Sequence, residues 1–310
     1  MNQSKKMNMR SVAALLVAVA ASLLFTDPVL GQGDAFLQDK GKGEVWVYFG
    51  GGSTRNYFNV DGDQRLFDSL GTSFLALGMG VSVDYGIFDN LEANVSLPVS
   101  YYRLTSDALF PDRSILAPDW LGLGLTYQII RHPVAASVSS HIKIPPGFHD
   151  GIYDDPNHPT FLSDGYFQFT NSLNLGFQLD GVWFKGSAGY NVRGEEPVDE
   201  ILYSAQIGLT RVEGTGIFLG IEGGIATEDA SQPLRPFYAG ATGSDSEKLR
   251  QDGGTGSFRT IDREDYFSVM PGFFVELNDE LMVSARYVVR LAGVNTIAIR
   301  GLYAGAGYRF

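Results

Sequence analysis

The 310-residue sequence contains no cysteine. That absence excludes disulfides, thiolate metal sites and a lipid-modified N-terminal Cys. Histidine is scarce, with four in the chain, and no zinc constellation is formed from them. Positive charge is short as well: 23 Lys and Arg stand against 35 Asp and Glu, a formal charge of −12. That sign argues against nucleic-acid partners, which are held by cationic contacts to phosphate. The chain also lacks an apolar run of the roughly 20 residues that a membrane-spanning helix needs. Its Gly-x-Gly pairs fall inside alternating stretches, not in a strand-to-helix turn, so no nucleotide fingerprint is present.

What is there begins with an export signal. Lys5, Lys6 and Arg10 precede the apolar run from Ser11 to Phe25, and the polar and breaker residues TDPVLGQGD follow. This basic, apolar and small-residue order is that of a secretory signal peptide. Cleavage is expected after Gly31, with Gly33 as the alternative. Residues 1–31 are then the signal peptide, 32–41 a short periplasmic N-terminal segment and 42–310 the folded domain. Loss of the signal removes three basic groups and Asp27, moving the formal charge from −12 to −14. The mature protein is expected in a Gram-negative-type envelope, and not as a lipoprotein.

Mean hydropathy is near zero, at −0.02, yet 13% of residues are aromatic and 38 are glycine. Strict alternation reconciles the two. In the last strand the even positions are Leu302, Ala304, Ala306, Tyr308 and Phe310, and the odd ones Gly301, Tyr303, Gly305, Gly307 and Arg309. A period of two places these sets on opposite faces. The same split recurs backwards through Leu281 to Leu291, Phe267 to Leu277 and on to Val45, giving twelve segments of about 10 to 14 residues. The links alternate too. GIFDN, RH, DG, EGTG and NDE are short, while Ser53 to Thr72, Arg103 to Pro118, Pro145 to Gly165 and Thr227 to Arg263 are longer and polar. Asp180-Gly181 is a hairpin signal, because both turn positions require positive φ. Alternating strands also build soluble sandwiches, but strand length, loop asymmetry and a signal peptide favour lipid. The expected fold is all-β: a 12-stranded antiparallel transmembrane up-and-down β-barrel in the cell outer membrane.

The final strand must then close against the first, leaving no unpaired edge in lipid. Phe310 is placed in an aromatic girdle at the periplasmic interface, and Arg300 faces outward towards the lipid phosphates. The C-terminal pattern with Tyr308 and Phe310 resembles the signal by which bacterial outer-membrane proteins are recognised for insertion. Membrane lipid, lipopolysaccharide and the outer-membrane assembly machinery are the expected partners, together with a small-molecule solute.

The inward parity carries the candidate lumen: Trp46, Asp84, Glu92, His141, Lys143, Trp183, Lys185, Glu222, Glu276, Arg286 and Arg290. Charges of both signs give no simple ion selectivity. The many inward glycines either leave a narrow passage or permit close packing of the wall. With the GIFDN turn centred on Phe88, Asp84 and Glu92 are expected to oppose each other across a hairpin. Close carboxylates resist joint ionisation, and Lys143, Lys185, Arg286 or Arg290 are the candidate bases. Ser139 and His141 share a face, but an outer-membrane phospholipase would need them outward, and their local motif is absent. Asp150, Asp154 and Asp155 in DGIYDDPNHP are hard-oxygen ligands in principle, though a solvated acidic loop is the simpler reading. No catalytic residue, metal or cofactor is assigned.

Three stretches carry a resemblance: VDYGIFDNLEANVSLPVSY; DWLGLGLTYQII followed by HIKIPPG; and VMPGFFVELNDELMVSARYVVRLAG with the terminal strand. Together they resemble the MetA-pathway of phenol degradation family of outer-membrane barrels over most of residues 73 to 310. The chain departs from the family pattern at Pro145-Pro146-Gly147 and at Gly293-Val294-Asn295. The resemblance implies a channel-like role in uptake or efflux of hydrophobic or aromatic compounds and brings no catalytic residues. The expected function is passive passage of small solutes through the lumen, without an energy-coupling plug domain. The alternative is a non-conducting structural or partner-binding barrel, with the loop from Thr227 to Arg263 as its contact.

Overall fold

The computed structural model describes residues 35–58, 61–66, 73–105, 113–145, 167–193, 199–212, 214–227, 265–294 and 296–310. The strands are β1 (Gly43–Thr54), β2 (Asn56–Phe58), β3 (Gln64–Leu66), β4 (Ser73–Phe88), β5 (Leu91–Thr105), β6 (Arg113–Pro118), β7 (Leu121–Ile130) and β8 (Val134–Ile144). They continue with β9 (Gln168–Leu179), β10 (Val182–Arg193), β11 (Glu200–Val212), β12 (Thr215–Ala226), β13 (Asp265–Glu276), β14 (Leu281–Val294), β15 (Thr296–Ile297) and β16 (Arg300–Arg309). There is no helix among the described residues.

Twelve antiparallel staves close a barrel, as the alternation requires. β1 pairs with β4 on one side and with β16 on the other. Phe310 completes the seam: its N–H donates to the Gly43 carbonyl and its carbonyl accepts from the Gly43 N–H, each at 2.9 Å. The stave between β5 and β8 is made of β6 and β7 in series, both paired with β5. The span from Arg103 to Pro118, expected as loop, is therefore partly wall. The ladder continues because Leu104 pairs with Arg113 and Val99 with Pro118. Asp119 interrupts it. That residue is fully buried, its N–H donates to the Pro98 carbonyl at 3.0 Å, and its carboxylate accepts from the Ser100 hydroxyl.

Parity is kept around the wall. The outward positions are apolar and exposed, from Val47, Met79 and Val81 to Ile217 and Leu302, both about 60% exposed (61% and 60%). Inward positions such as Tyr48, Phe74, Ser137, Asn174 and Tyr303 are buried. An apolar belt this continuous is stable only against lipid or another apolar phase. One end of the barrel carries tight turns. Asp180 (φ 45°) and Gly181 (φ 80°) both adopt the left-handed region, and Leu179 pairs with Val182. In the turn before β14, Asn278 Oδ1 accepts from the backbone of Glu280 at 2.9 Å and Leu281 at 2.7 Å.

At the other end, the long link after β1 contains secondary structure of its own. β2 pairs with β3 and with β15 in a small three-stranded sheet. Tyr57, Phe58, Thr296 and Ala298 are buried there. The spans 146–166 and 228–264, with Asp150, Asp154 and Asp155, lie outside the described residues.

Candidate functional site: the barrel lumen

The inward glycines are filled by their cross-strand neighbours. Tyr48 pairs with Gly80, and a Cβ on that glycine would fall 2.3 Å from the tyrosine oxygen. Trp183 pairs with Gly208, where a Cβ would meet the indole at 2.2 Å. Phe218 covers Gly272, Trp46 covers Gly307 and His141 covers Gly124 in the same way. Of the two readings of inward glycine, close packing holds at these positions: each ring lies flat on the wall because the facing residue has no side chain. The rings then meet one another. Trp183 lies 6.1 Å from Phe218 and 6.4 Å from Phe274 between centroids, an aromatic cluster on β10, β12 and β13 near the turn end.

The expected opposition of Asp84 and Glu92 is not what the register gives. The hairpin turns at Asp89-Asn90 and not at Phe88: Phe88 pairs with Leu91 and, past an irregularity between Gly86 and Phe88, Glu92 pairs with Gly86 and Asp84 with Asn94. Asn94 Nδ2 donates to Asp84 Oδ1 at 2.8 Å, and Glu92 Oε2 accepts from the Gln38 N–H at 2.7 Å. Each carboxylate thus has its own neutral donor.

The four candidate bases sit on aromatic rings. Lys143 Nζ is 4.5 Å from the Trp120 centroid and Lys185 Nζ is 5.7 Å from Phe36. The guanidinium carbons of Arg286 and Arg290 lie 5.5 Å and 4.4 Å from Tyr303 and Tyr266. Arg290 Nη1 also donates to Thr296 Oγ1 at 2.5 Å, tying β15 to the wall. A cation over a ring face is stabilised by the ring quadrupole. These four therefore hold aromatic groups in place.

Inward cations that pair with carboxylates include Arg193, whose Nη1 stands 2.8 Å from Glu200 Oε1, and Arg309. Arg309 Nε donates to Glu44 Oε1 at 3.0 Å and its Nη1 to Glu276 Oε1 at 3.1 Å. The second oxygen of Glu44 accepts from Trp46 Nε1 at 2.7 Å. Arg309 shares the inward parity of Gly305 and Gly307, which is the sequence signal that could have singled it out. Glu222 is buried, with Ser204 and Ser268 as its cross-strand neighbours.

Sequence reasoning also missed the segment before β1. Described from Ala35, it lies inside the turn-end mouth. The Gly41 N–H donates to the Gly86 carbonyl at 2.8 Å, and Gln128 Nε2 donates to the Ala35 carbonyl at 2.6 Å. Phe36 packs where a Gly176 Cβ would stand. These contacts run from β4 through β5, β7 and β9 to β10, which stands six staves from β1 in the ring of twelve. The segment therefore spans the mouth from one wall to the opposite one. Glu92 anchors its middle, Lys185 and Gly176 its far end.

Tyr308 and Phe310 point outward and are about half exposed, at 48% and 52%. Ser139 and His141 both face inward and are buried. The Ser139 hydroxyl is engaged by Thr126 Oγ1 at 3.0 Å and Asn174 Nδ2 at 2.7 Å.

Closed antiparallel staves, an apolar exterior and a lined interior define a barrel of the outer-membrane type. Comparison with solved structures gives the same class. The COG4313 outer membrane channel from Pseudomonas putida F1 superposes with a TM-score of 0.62 at 14% identity, covering 92% of this chain and all of that one. The translocator domain of the autotransporter NalP from Neisseria meningitidis gives 0.45 at 10% identity, covering 97% and 96% of the two chains. OccD3 from Pseudomonas aeruginosa gives 0.38 at 12% identity, covering 92% and 95%. No protein-family model matches the chain, and no curated protein does.

Proposed function

We propose that this protein is a channel of the cell outer membrane for passive passage of small hydrophobic or aromatic solutes. The supporting observation is the chemistry of the lumen wall, where cations are masked by aromatic rings and rings lie flat on glycines. Such a wall offers apolar contact along the passage. The wall residues Trp46, Asp84, Glu92, His141, Lys143, Trp183, Lys185, Glu222, Glu276, Arg286 and Arg290 are assigned this lining role. None is assigned catalysis, and no cofactor or metal is invoked. With the tight turns towards the periplasm, Arg300 faces lipid phosphate or lipopolysaccharide, and Tyr308 with Phe310 presents the insertion signal to the assembly machinery.

The segment crossing the turn-end mouth favours a second reading, a non-conducting structural barrel. Planar-bilayer recording of refolded protein separates the two. Steady unitary steps support the channel, whereas a heat-modifiable, folded barrel that stays silent and admits no aromatic probe into liposomes supports the structural role.

A further inference from the structure

A cluster of unsatisfied polar atoms stands on the lumen wall formed by β8, β9 and β10. Asn174 is 1% exposed, and its Nδ2 donates to Ser137 Oγ at 3.0 Å and Ser139 Oγ at 2.7 Å, while its Oδ1 has no hydrogen-bond partner among the described residues. Ser187 pairs directly with Asn174 across the strands, and its hydroxyl is unpartnered too. Ser172 Oγ, two residues along β9, and His141 Nε2, on β8 opposite Thr170, complete the group. Buried polar groups are almost always hydrogen-bonded, because leaving them unpaired forfeits their hydration. Four such atoms on three adjacent staves, all of inward parity, are more than isolated lapses.

The chemistry of the vacant valences selects the occupant. Asn174 Oδ1 only accepts once both amide hydrogens are committed, and hydroxyls donate or accept. The group that fits must therefore bring a hydrogen to donate. A cation is disfavoured, because Lys185 pairs with Gly176 two residues from Asn174, and Lys143 lies two residues from His141. Next to the polar atoms, at Gly176, stands the Phe36 ring. We infer that this wall is a solute subsite for a neutral molecule with a hydroxyl or amide head, bound by Asn174, Ser172 and Ser187, with its apolar body against Phe36. The subsite deepens the channel reading and rests on it only for the solute's route of entry.

Equilibrium binding tests the subsite apart from conduction. The barrel in lipid nanodiscs is titrated with 4-fluorobenzyl alcohol and with 4-fluorotoluene, followed by fluorine NMR, with empty nanodiscs subtracted for lipid partition. The wild-type protein should prefer the alcohol by about fivefold or more, the factor that one to two net hydrogen bonds supply. Asn174→Leu and the pair Ser172→Ala with Ser187→Ala should each lose that preference while keeping affinity for fluorotoluene. Heat-modifiable gel migration checks that each variant folds, and the serine pair stands alone if Asn174→Leu does not. Equal affinities in the wild type, as expected if water alone fills these valences, overturn the subsite, and so does a preference that survives in every folded variant. A preference that persists in a barrel silent in bilayers overturns the channel and leaves the subsite standing.

Discussion

Arg309 and Glu44, 265 residues apart, meet across the barrel seam with the guanidinium Nε 3.0 Å from the carboxylate. They are also direct register partners on β16 and β1. The contact therefore fastens the last stave to the first beside the Phe310–Gly43 backbone pair. Arg309 is 41% exposed at its side chain, so solvent screening reduces its worth to about 1 kcal/mol or less. Arg309→Ala and Glu44→Gln should each lower the urea midpoint of unfolding in detergent. The double variant should lose less than the two singles combined, by roughly 0.5 to 1 kcal/mol. Strict additivity would mean the pair does not couple.

Glycine opposite an aromatic ring is the rule for this wall, and Gly208 is its sharpest case. An added methyl would collide with the Trp183 indole at 2.2 Å. Gly208→Ala should force the ring off the wall and towards Phe218 and Phe274. Overpacking of this kind costs about 1 to 3 kcal/mol. Tryptophan emission should shift with the change in burial, and Gly208→Ala should cost much less in a Trp183→Ala background than in the parent. Unchanged emission would show that the ring tolerates the methyl.

The barrel was legible in the sequence because lipid and lumen impose opposite polarities on alternate residues. Leu302, Tyr308 and Arg309 could be assigned faces from parity alone. Register was less legible. The turn falls at Asp89-Asn90 and not at Phe88, which separates Asp84 from Glu92, and nothing in GIFDN announces the irregularity beside it. Cation partners were not legible either, since Lys143 finds Trp120 and Lys185 finds Phe36 through the closed three-dimensional wall. Residues before β1 carry no alternation, so their place in the mouth had no periodic signal. The sheet of β2, β3 and β15 was hidden for a related reason: strands of two or three residues are too short for a period to show.

Tyr57 lies in that small sheet, outside the staves. Burial raises its phenol above the usual value near 10, and the nearby Arg65 guanidinium acts in the opposite direction. A raised folded pKa means that the protonated phenol is favoured by folding. The stabilisation is complete below the unfolded pKa and is lost as pH rises through the folded one. Local melting of the sheet is therefore expected only in alkali, above about pH 10. Ultraviolet titration of Tyr57→Phe against the parent isolates this phenol. Arg65→Ala should push its ionisation higher still, and a shift downwards would contradict the assigned balance.

Phe36 is the far-end anchor of the segment that spans the turn-end mouth. Its ring fills the space at Gly176 and carries Lys185 above it, 5.7 Å away. Removing the ring leaves the segment held there by the Gln128 bond to the Ala35 carbonyl. Phe36→Gly should therefore enlarge the mouth without disturbing the staves, since no stave hydrogen bond depends on that side chain. Single-channel conductance should rise about twofold or more, whereas the denaturation midpoint of the barrel should move little, as only one partly exposed ring is lost. Adding Gln128→Ala should increase the effect by freeing the Ala35 carbonyl. If both variants conduct as the parent does, the narrowest point lies elsewhere along the lumen, and the sheet tied down by Arg290 at the opposite end becomes the place to cut next.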